Sequence, residues 1–199
     1  MQDVKLNQFN LVGGTALALQ IAHRTSIDID LFTKEKFDPA SLNEYLKKKY
    51  DFQFIDRSNG TLLGTIKEIK IDVLQHLYPE LTQPVIMESI RMASPLDIAA
   101  MKLNAIANNG TRIKDYVDMA YFSSQMSLKQ MILGYEKKYN AQGVTALRSL
   151  TYFNDIDFKE KVDLISGEFK WETIDKRLNE MMKNPEQVFS KLQMSGLKK

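Results

Sequence analysis

Two aspartates separated by one isoleucine, Asp28-Ile29-Asp30, are the residues of this 199-residue chain best suited to chemistry. Ahead of them lies Val12-Gly13-Gly14-Thr15-Ala16-Leu17-Ala18-Leu19, and the acidic stretch itself reads Arg24-Thr25-Ser26-Ile27-Asp28-Ile29-Asp30-Leu31-Phe32. Residues i and i+2 of a β-strand point to the same face. The spacing therefore predicts two converging carboxylates, with Ile27, Ile29 and Leu31 filling the opposite face. Two like charges held side by side on an apolar strand repel unless a cation sits between them. Hard oxygen donors of this kind suit Mg²⁺, which takes one or two carboxylates plus substrate phosphates. A third carboxylate, Asp72, falls in Lys70-Ile71-Asp72-Val73-Leu74, a further strand candidate. Asp28, Asp30 and Asp72 would then ligate two Mg²⁺ ions about 3.5–4 Å apart, bridging the attacking and leaving oxygens of a phosphoryl or nucleotidyl transfer. Asp72 would also accept the proton of the attacking hydroxyl or bind beside it. The alternatives are a solvated strand face for the pair, although strands are depleted in Asp, and a surface pairing of Asp72 with Lys67 or Lys70.

The elements around these residues must hold them in place. Phe9 to Val12 reads as a strand that turns at Gly13-Gly14 into a helix over Thr15 to His23. That turn lets backbone N–H groups approach phosphate, helped by the helix N-terminus. Gly13, Gly14 and Thr15, with Arg24 and Ser26 before the acidic strand, are the candidate nucleotide-binding residues. Ser26 to Phe32, Phe52 to Asp56, Thr61 to Ile66 and Lys70 to Leu74 read as strands, with a helix opening at Pro39 and running to about Tyr50. From Pro95 the period becomes helical, with Ser94 as N-cap, Pro95 at N1 and Asp97 at N3. Helices are expected to about Asn108, over Thr111 to Ser123 and over Leu128 to Tyr139. Weaker signals cover Ala141 to Phe153, Asp157 to Leu164 and Trp171 to Met182, and Asn184-Pro185 opens a last short helix ending near Gly196. The expected class is α/β (α+β), with a small mixed sheet flanked by helices in residues 1–90 and an all-helical region in 91–199.

Composition narrows the function classes. Twenty-seven Lys+Arg against 25 Asp+Glu give a net charge of +2, so no bulk attraction to nucleic acid follows. Lys47-Lys48-Lys49 and Lys137-Lys138 read as solvated helix faces, or as an RNA-facing patch. The absence of cysteine excludes disulfides and thiolate metal sites, and two histidines cannot build a His-rich zinc site. His23 and His76 read as loop or core residues rather than bases. The N-terminus has no apolar signal core, and no run approaches the roughly 18 apolar residues of a membrane span. A soluble, cytoplasmic protein is expected.

The order Gly-Gly turn, helix, Asp-x-Asp strand resembles the nucleotidyltransferase superfamily. More narrowly, Gly13-Gly14-Thr15-Ala16-Leu17-Ala18-Leu19 followed by His23-Arg24-x-Ser26-x-Asp28-x-Asp30-Leu31-Phe32 is similar to the AbiEii/AbiGii toxin-type nucleotidyltransferases. Ser94-Pro95, Ala99-Ala100-Met101-Lys102 and Arg112-x-Lys114-Asp115-Tyr116-x-Asp118 extend the likeness over about residues 9 to 123. The resemblance implies that Asp28 and Asp30 bind Mg²⁺, that Lys102 contacts nucleotide phosphates, and that Asp115 is a functional acid. It implies transfer of a nucleoside monophosphate from an NTP to a hydroxyl on tRNA or protein, with release of pyrophosphate. An antitoxin protein is an implied partner and a membrane is not. Taken without the resemblance, Lys102 is a surface lysine, Arg112 and Lys114 pair with acids a turn away, and Asp118 is a helix-face or salt-bridge residue. The competing readings are a catalytically silent nucleotide-binding module and a small-molecule adenylyltransferase of the aminoglycoside type.

Overall fold

Asp30 and Asp72 owe their relation to a parallel strand pair. The structure, a computed structural model, describes residues 3–194. Strand β1 (Asn10–Val12) runs into helix α1 (Gly13–Ile21), and β2 (Ile29–Thr33) returns antiparallel to β1. Helix α2 (Pro39–Tyr50), β3 (Gln53–Ser58) and β4 (Thr61–Ile66) follow, and β5 (Ile69–Gln75) then lies parallel to β2. The hairpin of β6 (Val85–Met87) and β7 (Ile90–Met92) joins the far side of β1, completing a mixed sheet of order β3-β4-β5-β2-β1-β7-β6. The class is α/β, as the sequence predicts.

Local chemistry explains most of these boundaries. Asp38 caps α2 by accepting from the N–H groups of Ala40 and Ser41, Pro39 occupies the first turn, and Asp51 ends the helix in the left-handed region. Leu42 and Leu46 are its buried face, and the helix packs on β3 and β4. Three two-residue loops turn the hairpins. Asn59-Gly60 joins β3 to β4, Lys67-Glu68 joins β4 to β5, and Glu88-Ser89 joins β6 to β7. Both residues of the last two loops have positive φ, 48° and 66° then 47° and 65°, the type I′ pattern that matches strand twist.

The chain forms two compact units that interleave along the sequence. One comprises residues up to Ala16, Ser26–Pro79 and Gln83–Ser94; the other comprises Leu17–Thr25, Glu80–Thr82 and everything from Pro95 onward. The first contains the sheet, with Phe9, Leu31, Phe52, Leu62 and Val73 at its core. The second contains α3 (Pro95–Asn108), α4 (Ile113–Phe122), α5 (Leu128–Tyr139), α6 (Gly143–Leu150) and α7 (Trp171–Lys183). Helix α3 packs on α4, α5 and α6, and Ile98, Leu103 and Ile106 are among its buried side chains. Each such side chain adds roughly 1.5–3 kcal/mol through burial. Ser127 and Gln130 form a reciprocal capping box at the start of α5.

Four expectations require correction. The strand after Ser26 begins only at Ile29, and Ile27, expected on its apolar face, is 70% exposed. Strands β6 and β7 were not anticipated. Asp157 to Leu164 is not helical, because Asp157 takes the N–H of Lys159 and closes a local turn. The stretch from Asn184-Pro185 to Met194 is also irregular. Its backbone bonds to other segments, the carbonyl of Pro185 to Lys129 and the N–H of Phe189 to Ser123. Gly196 lies outside the described residues. Among the described residues no helix is long and apolar enough to cross a membrane.

Candidate active site

In the sheet unit the structure gathers Gly13, Thr15, Ser26, Asp28, Asp30 and Asp72 around the start of β2. Gly13 opens α1 with φ of +68°, and a side chain there would strike the carboxylate of Asp30 as well as being strained. Glycine at 13 is thus what allows Asp30 to lie against the turn. The hydroxyl of Thr15 contacts the hydroxyl of Ser26 at 2.9 Å and donates to the carbonyl of Asp28, tying the loop before β2 to the first turn of α1. Asp28 stands exposed one residue ahead of the strand.

Asp30 on β2 is the register partner of Asp72 on β5, and Val12 is its partner on β1. Two carboxylates therefore sit side by side across a parallel ladder, where strand spacing is about 4.8 Å. Asp72 is divided in its bonding. Lys70 Nζ donates to its Oδ2 at 2.7 Å, the pairing that charge alone made available, while its Oδ1 is buried and has no hydrogen-bond partner among the described residues. A buried anionic oxygen left unsatisfied is costly, and a cation would relieve that cost. Asp30 and Asp72 supply the one or two carboxylates that Mg²⁺ takes from protein, the rest coming from substrate phosphates and water. The donor set fits a hard divalent ion, but among the described residues no three carboxylate or imidazole groups converge into a ready-made cage.

A second constellation belongs to the helical unit. Asp118 on α4 is fully buried and serves four donors. His23 Nε2 lies at 2.7 Å, Arg24 Nε at 2.6 Å, Arg24 Nη2 at 2.8 Å and Lys102 Nζ at 2.8 Å. Lys102 also reaches Asp115 Oδ1 at 2.5 Å. Burial by itself would raise the acid's pKa. The charge of Lys102 and the hydrogen bonds from Arg24 and His23 overcome it and hold the Asp118 carboxyl far below the ordinary carboxylate range. Burial likewise acts to lower Lys102, and the charges of Asp118 and Asp115 overcome that to keep its ammonium protonated. Arg24 and Lys102, expected at the nucleotide, thus have their cationic ends bonded to carboxylates, and both residues are nearly inaccessible. A phosphate contact from either would fall to donors that these carboxylates leave unused, on groups nearly closed to solvent. Asp115 keeps one buried oxygen, Oδ2, without a hydrogen-bond partner among the described residues.

The i, i+3 spacing of Asp115 and Asp118 was the available signal that both lie on one helix face. Nothing in the sequence signalled the reach of Arg24 across 94 positions to Asp118. Lys114, the other cation of that motif, pairs with Glu160 at 3.1 Å.

The description "Nucleotidyl transferase AbiEii toxin, Type IV TA system" belongs to a family whose sequence pattern matches residues 2–189. An uncharacterized protein of Aquifex aeolicus (strain VF5) is 34% identical over 156 residues, covering 75% of each chain. Among solved structures, a provisionally assigned nucleotidyltransferase from H. pylori aligns with a TM-score of 0.58 at 17% identity, over 89% of this chain and 85% of that one. JHP933 from Helicobacter pylori aligns at 0.53 and 16% identity, over 89% and 83%. The last two likenesses are of fold.

Proposed function

The chain belongs to the AbiEii nucleotidyl transferase toxin family of type IV toxin–antitoxin systems, and on that premise we propose that it transfers a nucleoside monophosphate from an NTP to a hydroxyl acceptor on RNA. The new bond joins the acceptor oxygen to the α-phosphorus, the bond to the β-phosphate oxygen breaks, and pyrophosphate leaves. Asp30 and Asp72, with Asp28 beside them, would hold Mg²⁺, which supplies charge neutralisation for the triphosphate. Gly13 and Gly14 leave the first amides of α1 open to a phosphate oxygen, and Thr15 with Ser26 fixes the loop that carries Asp28. With Oδ1 of Asp72 turned to the cation, its Oδ2 is the oxygen left to take the acceptor hydroxyl's proton or bind beside it, once exposed Lys70 gives it up. Lys102, Asp115 and Arg24 enter as the ionic framework of the helical unit, with Lys102 and Asp115 also open to direct roles by the family resemblance. An antitoxin is the regulatory partner that the family description suggests.

The observation that carries this reading is the Asp30–Asp72 register pair beside Gly13, with one Asp72 oxygen buried and unsatisfied. Each of the four labelled NTPs, incubated with total RNA, cell protein and small hydroxyl acceptors in Mg²⁺, should label RNA. Asp30→Ala should reduce labelling at least 100-fold, the scale expected when a group that stabilises transition-state charge is removed. Label in no acceptor, or undiminished labelling by Asp30→Ala, would refute the proposal.

A further inference from the structure

The helical unit contains a cavity of about 500 Å³ between one side of α7 and the segment Ser190–Gln193. Among the described residues its titratable lining is three cations, Lys176, Arg177 and Lys191, against one carboxylate, Glu180; Thr173 and Ser190 add hydroxyls. Arg177 is the notable member. It is 9% exposed, and its Nη1 donates to Ser123 Oγ at 2.8 Å and to the carbonyl of Ser190 at 3.1 Å. Its guanidinium lies over the Phe189 ring, 5.0 Å from the centroid. Its Nε–H is buried and has no hydrogen-bond partner among the described residues, the Glu180 Oε2 carboxylate oxygen standing off at 3.7 Å. A held, desolvated guanidinium with a spare donor, flanked by two exposed ammonium groups, is under-compensated in charge. Burial lowers the pKa of Arg177 and Glu180 only partly offsets that effect, which is the same imbalance seen from the titration side.

Phosphate oxygens match this donor set. Arg offers a fixed fork, Lys offers mobile point charges, and hydroxyls complete the shell. We propose that the α7 cavity is a subsite for a backbone phosphate of the acceptor RNA, with Arg177 as the fixed donor and Lys176 and Lys191 as the steering charges. The RNA identity of the ligand rests on the transferase reading above; the anion subsite itself does not. Lys176 and Lys191 are exposed, and their side chains make no hydrogen bond to the described residues, so the double variant Lys176→Ala/Lys191→Ala tests the site without threatening the core.

Binding of fluorescein-labelled bulk tRNA is read by anisotropy across a KCl series. The double variant should bind about tenfold more weakly. Its log–log salt slope should be shallower by about 1.5, the counterion release that goes with two lost steering charges. Glu180→Gln, which removes the competing carboxylate, should tighten binding about threefold. Anisotropy reads tRNA binding without NTP, so binding and transfer can fail separately. Unchanged tRNA affinity and slope in the double variant, with tripolyphosphate binding also unchanged, overturn the subsite, whatever the transfer assay gives. Calorimetry with inorganic tripolyphosphate separates the sources. If tripolyphosphate binding is lost in the double variant while tRNA binding is not, a free polyphosphate is the ligand and the RNA assignment is overturned.

Discussion

Replacing Asp118 by asparagine keeps the shape of the side chain and removes the anion on which the helical unit's buried charges converge. In the wild type, Arg24⁺ and Lys102⁺ are balanced by Asp115⁻ and Asp118⁻, and both oxygens of Asp118 are occupied by donors at 2.6–2.8 Å. Asparagine accepts through one oxygen and turns N–H groups toward other donors. Breaking a buried pair from one side costs roughly 3–5 kcal/mol. For a chain of 150–250 residues each kcal/mol lowers Tm by about 2–4 °C, so the expected fall is about 6–20 °C, read as thermal loss of helical circular dichroism. Lys102→Met/Asp118→Asn restores charge balance, and its destabilisation should fall short of the sum of the single variants by about 1–3 kcal/mol. The pH dependence has a definite sign. The Asp118 pKa is depressed in the fold, so its contribution is present above the unfolded value of about 3.9 and is lost only as pH falls toward the lowered one. The Tm gap between wild type and Asp118→Asn should therefore hold from pH 8 to pH 5 and close only in strong acid. A single variant within about 2 °C of wild type, or strictly additive destabilisation, would refute the account of the cluster as a balanced network.

Gly13→Ala places a side chain at φ of +68° against the Asp30 carboxylate; we expect about 1–2 kcal/mol of destabilisation and a loss of labelled-NTP transfer well beyond what the Tm change explains. Lys70→Ala removes the charge on Asp72 Oδ2 from a half-exposed pair, so stability should change by about 0–1 kcal/mol. The Mg²⁺ concentration for half-maximal transfer should fall about threefold; a rise would argue that Lys70 serves the reaction. Lys67→Asn/Glu68→Gly puts residues suited to positive φ into a type I′ loop and should raise Tm by a few degrees, from a gain of about 1 kcal/mol; unchanged or lower Tm in differential scanning fluorimetry would contradict the turn geometry.

The parts of the fold visible in the sequence are those with local causes. Pro39 after Asp38, the Asn59-Gly60 turn and the i, i+4, i+7 spacing of Ala99, Leu103 and Ile106 each announce an element before any tertiary contact exists. The β6–β7 hairpin escaped notice because its loop is Glu88-Ser89, two residues that ordinarily avoid positive φ, and because each strand has only three residues. The irregular path after Asn184 was misread for the opposite reason. Its local signals, an Asn-Pro start and a later Gly, favour a helix, and backbone bonds to Ser123 and Lys129 override them. At the candidate site the carboxylates on β2 and β5 were readable, since alternation places them and strands seldom carry Asp idly. The partners of Arg24 and Lys102 were not, because salt bridges between distant segments leave no periodic trace.

The parallel ladder between β2 and β5 also says where this protein can tolerate change. Asp30 and Asp72 are 42 positions apart in the chain, yet their spacing is set by the hydrogen bonds of two neighbouring strands. The intervening excursion through α2, β3 and β4 only has to return β5 to the same register. Insertions at the Asn59-Gly60 tip, such as an epitope tag or a fluorophore-bearing peptide, should leave the carboxylate pair where it is. A single-residue insertion inside β2 or β5 would turn one aspartate to the other face of the sheet, so length variation should be accommodated in the hairpin and excluded from the two strands.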